Sequence, residues 1–329
     1  MQRATVISQF NPVRLPLHEV IPLASPLVVY IEPSSFCNLE CRFCPQHIAP
    51  EGLKKQNMSL SSFRKLVADI KKFPTRPKKI RYCGTGEPLF NKNLLAMVKM
   101  AAEADLAENF ELITNAFLLN DDLITELPKY LDKIIISVEG LSSSDYKTFS
   151  LRNVDYDELV DKVRRLCAQP NRRATIHVKT HHTAIKNEDD RQLFLSTFGK
   201  NADEINIEGL VEMWPEIRSN LNLDETNHRF EGDINSVVVC PQIFKGLQIN
   251  SDGRVIPCCA DWAAINVIGD ITNEPLLEIW HGQLLKSLQT RHLKGERDQF
   301  SPCKGCQMNE FCEKDNIDSY RTDLLAKLD

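Results

Sequence analysis

Apolar positions in residues 27–207 alternate between two periods. Short apolar runs at Leu27–Glu32, Lys79–Tyr82, Phe110–Thr114, Lys133–Val138, Ala174–Thr180 and Glu204–Ile207 read as strands. Between them, apolar residues recur at helical spacing. Leu60, Phe63, Leu66, Val67, Ile70 and Phe73 mark one helix, with Ser59 as its cap. Further helices are expected over Leu94–Ala107, Asp122–Leu127, Tyr156–Cys167 and Asp190–Phe198. Strand and helix alternating in this way predict parallel β/α units in an α/β fold. Strands this apolar are expected to be buried on both faces. A closed eight-fold barrel needs more chain. Six units fit an open, partial (β/α)6 TIM-like barrel over residues 27–209.

The flanks are different. Residues 1–26 carry Pro12, Pro16, Pro22 and Pro26 and read as an irregular lead-in, with neither a signal peptide nor a membrane span. Residues 210–239 form a polar connector rich in Glu, Asn and Asp, and a smaller cysteine-rich unit occupies 240–329. The 329-residue chain is 42% hydrophobic and 26% charged, as in ordinary soluble globular proteins. A net charge of −5 gives no electrostatic case for nucleic acid. The short basic runs Lys71-Lys72, Lys78-Lys79 and Arg172-Arg173 read as solvated faces. The eleven cysteines cluster. Without a secretion signal, that pattern points to metal in a reducing cytoplasm rather than to disulfides.

Cys37, Cys41 and Cys44 are spaced C-x3-C-x2-C in the loop after the first predicted strand. Three thiolates hold three irons of a [4Fe–4S] cube and leave the fourth open to a ligand. A zinc site completed by His47, or a disulfide loop, is the alternative. The spacing, with Phe43 before the last cysteine, resembles the radical SAM superfamily. The resemblance implies that the open iron binds S-adenosylmethionine, whose one-electron cleavage yields a 5′-deoxyadenosyl radical that abstracts hydrogen. In β/α barrels chemistry sits at the C-terminal strand ends, which is where this loop lies.

Other strand ends fit the same resemblance. Gly84-Thr85-Gly86-Glu87-Pro88 follows the second strand. On its own it reads as a tight turn. It is similar to the family's Gly-Gly-Glu-Pro motif, with Thr85 in place of the first glycine. The resemblance implies that Gly84, Gly86, Glu87 and the adjoining backbone receive the ammonium of S-adenosylmethionine. Thr114-Asn115 resembles the family's Thr-Asn-Gly. Ser137 and Arg152 are implied to bind the methionyl carboxylate, while Glu139 departs from the usual Asp. For each, a helix cap or surface ion pair is the plainer reading. Alternation puts His177, Lys179 and His181 on one strand face, with His182 opposite, and Glu208, Met213 and Trp214 follow the sixth strand. These are candidates for contact with substrate.

Cys240-x12-Gly253-x4-Cys258, followed by Cys303-x2-Cys306-x5-Cys312, resembles the SPASM domain, which holds auxiliary [4Fe–4S] clusters. Asn316 stands where a further cysteine is usual, and no cysteine follows Cys312. One auxiliary cluster is therefore expected, as in the shortened twitch version, giving two [4Fe–4S] clusters in all. Its ligands are expected to be Cys240, Cys258, Cys303 and Cys306, with Cys312 or Cys259 as alternates. A structural zinc ribbon is the other reading. The resemblance also makes Asp261 a candidate base in dehydrogenation and Cys259 a candidate hydrogen-atom donor in epimerisation. Cys167 reads as core packing and Cys83 has no assigned role.

The expected activity is that of a radical SAM oxidoreductase. Its substrate is expected to be a small sugar, aminocyclitol or nucleoside-like molecule, because the lead-in is too short for a leader-binding domain. Flavodoxin or ferredoxin is the expected electron donor. A peptide-modifying maturase, an epimerase and a non-catalytic metal- or RNA-binding module are the alternatives.

Overall fold

The computed structural model describes residues 4–7, 15–210, 214 and 236–328. All six expected strands are present and parallel to their neighbours: β2 (Val28–Ile31), β3 (Lys79–Tyr82), β4 (Phe110–Thr114), β5 (Lys133–Val138), β6 (Thr175–His181) and β7 (Glu204–Glu208). They lie in chain order across one sheet. The lead-in is not wholly irregular. Its strand β1 (Thr5–Val6) pairs in parallel with β7, and helix α1 (Leu17–Val20) follows. On the far side of β2, residues of the cysteine-rich unit extend the same sheet. Strand β8 (Gly246–Ile249) runs parallel to β2, and β9 (Arg254–Ile256) and β10 (Gly269–Asp270) continue antiparallel. The sheet stays open, with β1 and β10 at opposite edges. This is the partial barrel expected, and its first strand is shared with the C-terminal unit.

Helices cover one face of the sheet. In chain order they are α3 (Leu60–Ile70), α4 (Leu94–Glu103), α5 (Asp121–Tyr130), α6 (Ser143–Phe149), α7 (Tyr156–Cys167) and α8 (Glu188–Phe198), while the short α2 (Pro45–Ile48) lies in the loop after β2. Side-chain caps fix several starts: Ser59, Asn120, Ser142, Asp155 and Asn187 each accept a backbone N–H of the first turn. Helix α6 has no expected counterpart; its seven residues, SSDYKTF, lack an apolar stripe long enough to show a period. The cysteine-rich unit adds α9 (Gln242–Lys245), α10 (Leu276–Trp280), α11 (Gln283–Leu293) and α12 (Arg321–Leu328). A second small core joins Leu17 and Ile21 to Ile243, Phe244, Leu293 and Leu324. Among the described residues, no helix is long and apolar enough to cross a membrane.

The strands are largely buried on both faces, as expected, but only one face is apolar. Val29, Ile31, Ile80, Tyr82, Leu112, Ile134, Ile136, Ile176 and Val178 form the main core, with Tyr82 against Phe63 of α3. The opposite face carries Arg81, Glu111, Lys133, His177, Lys179, Glu204, Asn206 and Glu208. These residues pair across strands: Arg81 with Glu111 at 2.5 Å, Lys133 with Glu204, and Lys179 with Glu208 at 2.6 Å. Charges held in pairs are tolerated where single charges are not.

Candidate active site

The loop after β2 is built by its own hydrogen bonds. Ser35 Oγ donates to Lys54 O at 2.7 Å and accepts from Gln56 N at 2.7 Å, which folds residues 34–57 back on themselves. Glu40 N and Arg42 N donate to Ser150 O and Phe149 O at the end of α6. Cys44 then starts α2, with Pro45 at its first position. Cys44 is thus held close enough to raise the pKa of both Cys37 and Cys41. Burial, then Glu87, pushes Cys37 up to about 12. Burial, followed by Glu139, holds Cys41 well above the usual thiol value, and burial pushes Cys44 up to about 11. Leu39 N donates to Cys37 Sγ at 3.4 Å, and Asn115 Nδ2 lies 3.9 Å from it.

This donor set fits an iron–sulfur cluster. The thiols are soft, clustered and shielded, two N–H groups point at one sulfur, and a cationic centre offsets what burial and repulsion disfavour. His47, the residue that would complete a zinc site, is exposed on α2.

The second strand end packs directly on this loop. A Cβ on Gly86 would lie 2.2 Å from Ser34 O and 2.6 Å from Phe36 O, so only glycine allows the approach. Glu87 N donates to Phe36 O at 2.8 Å. The Glu87 side chain departs from expectation. It is 3% exposed, and its carboxylate accepts from Leu89 N, Thr114 Oγ1 and Asn115 N at 2.9, 2.7 and 2.8 Å. Burial raises its pKa to about 7 against these bonds. Its carboxylate is engaged inside the protein, and the backbone of the loop is what it leaves for a ligand. Ala116 takes φ +65°, at the position of the glycine in the family's Thr-Asn-Gly.

The remaining strand ends line a half-open cavity of about 220 Å³. Phe43, Ser137, Glu139, Lys179, His181, Glu208 and Trp214 contribute to its wall. Of the expected substrate residues, Lys179, His181 and Glu208 meet here. His177 does not: it sits one layer lower, its Nε2 2.6 Å from Asn206 Oδ1. His181 is buried, stacked on Phe149 at 4.4 Å, with Nε2 3.3 Å from Glu139 Oε2 and Nδ1 2.5 Å from Thr183 Oγ1. Glu139, whose role was open, therefore lies between the cluster thiols and the cavity. Arg152, half exposed, pairs with Glu40 of the cluster loop and is not among the residues that line this cavity. Met213 lies outside the described residues.

In the C-terminal unit, Cys240 and Cys312 are in direct contact, and Cys258, Cys303 and Cys306 are linked to them or to one another by their electrostatic influence. Cys240 hydrogen-bonds Cys312 and feels Cys306; Cys258 feels Cys240, and Cys303 feels Cys306. The Cys240 bond holds Cys312 below the usual thiol value, and Gln242 Nε2 also reaches it at 3.7 Å. Cys312, expected as an alternate, is thus the thiol in direct contact with Cys240. Asp261 is 1% exposed, and its two oxygens accept from Ile265 N at 2.8 Å and Asn266 N at 2.7 Å. It fixes the loop after Cys258 through these two bonds. Cys259 hydrogen-bonds Cys258 and acts on Cys83 and Tyr30, away from the cavity wall.

Two residues of the site went unrecognised in the sequence. Glu32 and Ser251 bridge the barrel and the C-terminal hairpin, with Ser251 Oγ donating to Glu32 Oε2 at 3.0 Å. A carboxylate closing an apolar strand just before the cluster loop was the available signal.

Comparison with known proteins identifies the family. The Radical SAM superfamily model matches residues 31–195, and the SPASM iron–sulfur cluster-binding domain matches residues 240–307. A GTP 3′,8-cyclase of Chlorobaculum tepidum is 22% identical over 278 residues, 75% of this chain and 82% of that protein. The chain spans half or less of the length of several other curated relatives it matches. Among solved structures, Streptococcus suis SuiB bound to precursor peptide SuiA superposes with TM-score 0.66 at 17% identity, covering 90% of this chain and 73% of that one. BtrN in complex with AdoMet and 2-DOIA gives TM-score 0.55 at 18% identity, covering 85% and 92%. With one family model spanning half of the chain and a second on its cysteine-rich end, the protein belongs to the radical SAM superfamily and carries a SPASM domain.

Proposed function

We propose that this radical SAM enzyme oxidises a small, hydroxyl-bearing molecule, such as a sugar, aminocyclitol or nucleoside, at a carbinol carbon. The observation that carries this reading is the cavity at the ends of β5, β6 and β7. It is about 220 Å³ in volume, and its wall pairs Lys179 with Glu208 and His181 with Glu139. Such pairs offer donors and acceptors to hydroxyl groups without demanding a net charge on the ligand. The relative solved with the small molecule 2-DOIA is consistent with this choice.

When bound, the first cluster and S-adenosylmethionine supply the 5′-deoxyadenosyl radical that removes hydrogen from substrate. Cys37, Cys41 and Cys44 would hold that cluster, and the backbone of Gly84–Glu87 would receive the cofactor's ammonium beside it. Ser137, at the cavity wall, would take the methionyl carboxylate. Lys179, Glu208 and His181 would orient the substrate, and Glu139 or His181 would take the hydroxyl proton. Oxidation also releases a second electron. The thiols around Cys240 and Cys306 would hold the auxiliary cluster that accepts it, and flavodoxin or ferredoxin would supply the first.

The test is an anaerobic assay of 5′-deoxyadenosine formation with polyols, aminocyclitols, nucleosides and short peptides, each deuterated at the candidate carbon. The reading requires substrate-dependent cleavage, deuterium in 5′-deoxyadenosine and one carbonyl formed per cofactor consumed. Stimulation by peptides alone, or a redox-neutral product, contradicts it.

A further inference from the structure

Glu32 ends β2 where the chain enters the cluster loop, and it is 4% exposed. Its carboxylate is held by neutral donors from two directions. Oε1 accepts from Thr85 N at 2.9 Å and Thr85 Oγ1 at 2.7 Å. Oε2 accepts from Ser251 N at 3.1 Å and Ser251 Oγ at 3.0 Å. Its own N–H donates to Ile249 O at 2.9 Å, at the end of β8. Gly84 lies flat against this side chain: a Cβ there would stand 2.4 Å from Glu32 Cγ.

Thr85 is clamped from its other side too. Gln46 Nε2 donates to Thr85 O and to Ser35 O, both at 2.9 Å, which ties the cluster loop to the same peptide. Ser251 belongs to the turn between β8 and β9, and β9 runs on towards Cys258. The carboxylate is therefore the joint between the loop after β3 and the hairpin of the auxiliary domain. Thr85, the residue that departs from the glycine of the motif, is the one whose hydroxyl reaches it.

We propose that Glu32 is a positioning residue for S-adenosylmethionine, through which Ser251 of the auxiliary-domain hairpin sets the Gly84–Pro88 loop. Hydrogen bonds to a buried charge are short and strong, and losing one leaves a desolvated partner unmet. A loop held by its backbone N–H and hydroxyl on one side, and by its carbonyl on the other, presents its remaining backbone groups in one orientation. The proposal rests on Gly84–Pro88 being the cofactor loop.

The experiment measures S-adenosylmethionine binding by equilibrium dialysis to the full-length, anaerobically reconstituted protein, with iron content determined alongside. The change that the cofactor causes in the electron paramagnetic resonance spectrum of the reduced first cluster is recorded too. Ser251→Ala and Glu32→Gln are expected to weaken binding by roughly tenfold and to shrink the spectral change, with iron content unchanged. Thr85→Gly should weaken binding similarly, and adding Ser251→Ala to it should cost little more, because both act through one carboxylate. Wild-type affinity and spectra in Ser251→Ala and Glu32→Gln overturn the proposal. Gly86→Ala separates the two claims. Wild-type binding there would remove the loop assignment and the proposal with it. Lost binding there beside an unaffected Ser251→Ala removes the coupling alone.

Discussion

Lys179 Nζ lies 2.6 Å from Glu208 Oε1, across neighbouring strands at the cavity wall. Their side chains are only 14% and 9% exposed, so this is not a solvent-screened surface pair. Breaking a buried ion pair by removing one member costs roughly 3–5 kcal/mol. Lys179→Met is expected to lower substrate-dependent 5′-deoxyadenosine formation about 100-fold or more while the first cluster keeps its iron. Unchanged turnover in this variant would place the substrate elsewhere.

Asp261 organises the auxiliary loop through Ile265 N and Asn266 N. Asn266 Nδ2 in turn donates to Ser301 O at 2.8 Å, near Cys303. Asp261→Ala is therefore expected to destabilise the loop by roughly 2 kcal/mol and to lower auxiliary iron content. Iron analysis and thermal melting check this. Full auxiliary iron together with a lost acidic limb in the pH–rate profile would instead support Asp261 as a proton acceptor.

Two buried histidines make stability depend on pH. Burial lowers both His177 and His292 from 6.5 to about 4, and neither ring nitrogen of His292 has a hydrogen-bond partner among the described residues. Between these values the unfolded chain binds more protons than the folded one. Their contribution is thus complete above pH 6.5 and is lost as pH falls towards 4, at up to ~1.4 kcal/mol per pH unit for each. Urea unfolding at pH 7 and pH 5 should show the loss, and His292→Leu should flatten it by up to one proton. An unchanged slope in His292→Leu would rule its ring out as a source.

Much of this architecture was legible in the sequence because strand and helix periods alternate clearly. The cysteine spacing likewise pointed to the first cluster loop. The polar inner face was harder to see, because Arg81, Glu111, Lys133 and Glu204 become compatible with burial only through partners on other strands. Arg152 and Asp261 were read by motif position, which says where a residue lies along the chain but not which group its side chain meets. Their partners, Glu40 and the N–H groups of Ile265 and Asn266, are set by local loop geometry. Glu32 and Ser251 are 219 positions apart, a separation no local pattern reports.

The auxiliary thiols can be tested one at a time. Cys240 and Cys306 are both buried, and Cys240 acts on or is acted on by Cys258, Cys306 and Cys312. Changing either Cys240 or Cys306 to Ala is expected to remove about four irons and leave S-adenosylmethionine cleavage by the first cluster measurable. Full iron retention in both variants would remove them from the ligand set.

The most direct measurement is iron and sulfide content after anaerobic reconstitution, in the wild type and with Cys37, Cys41 and Cys44 all changed to Ala. Two four-iron clusters on separate thiol sets require about eight irons falling to about four. About four falling to none, with zinc bound at the C-terminal cysteines, would contradict an electron-accepting auxiliary cluster and the oxidation built on it.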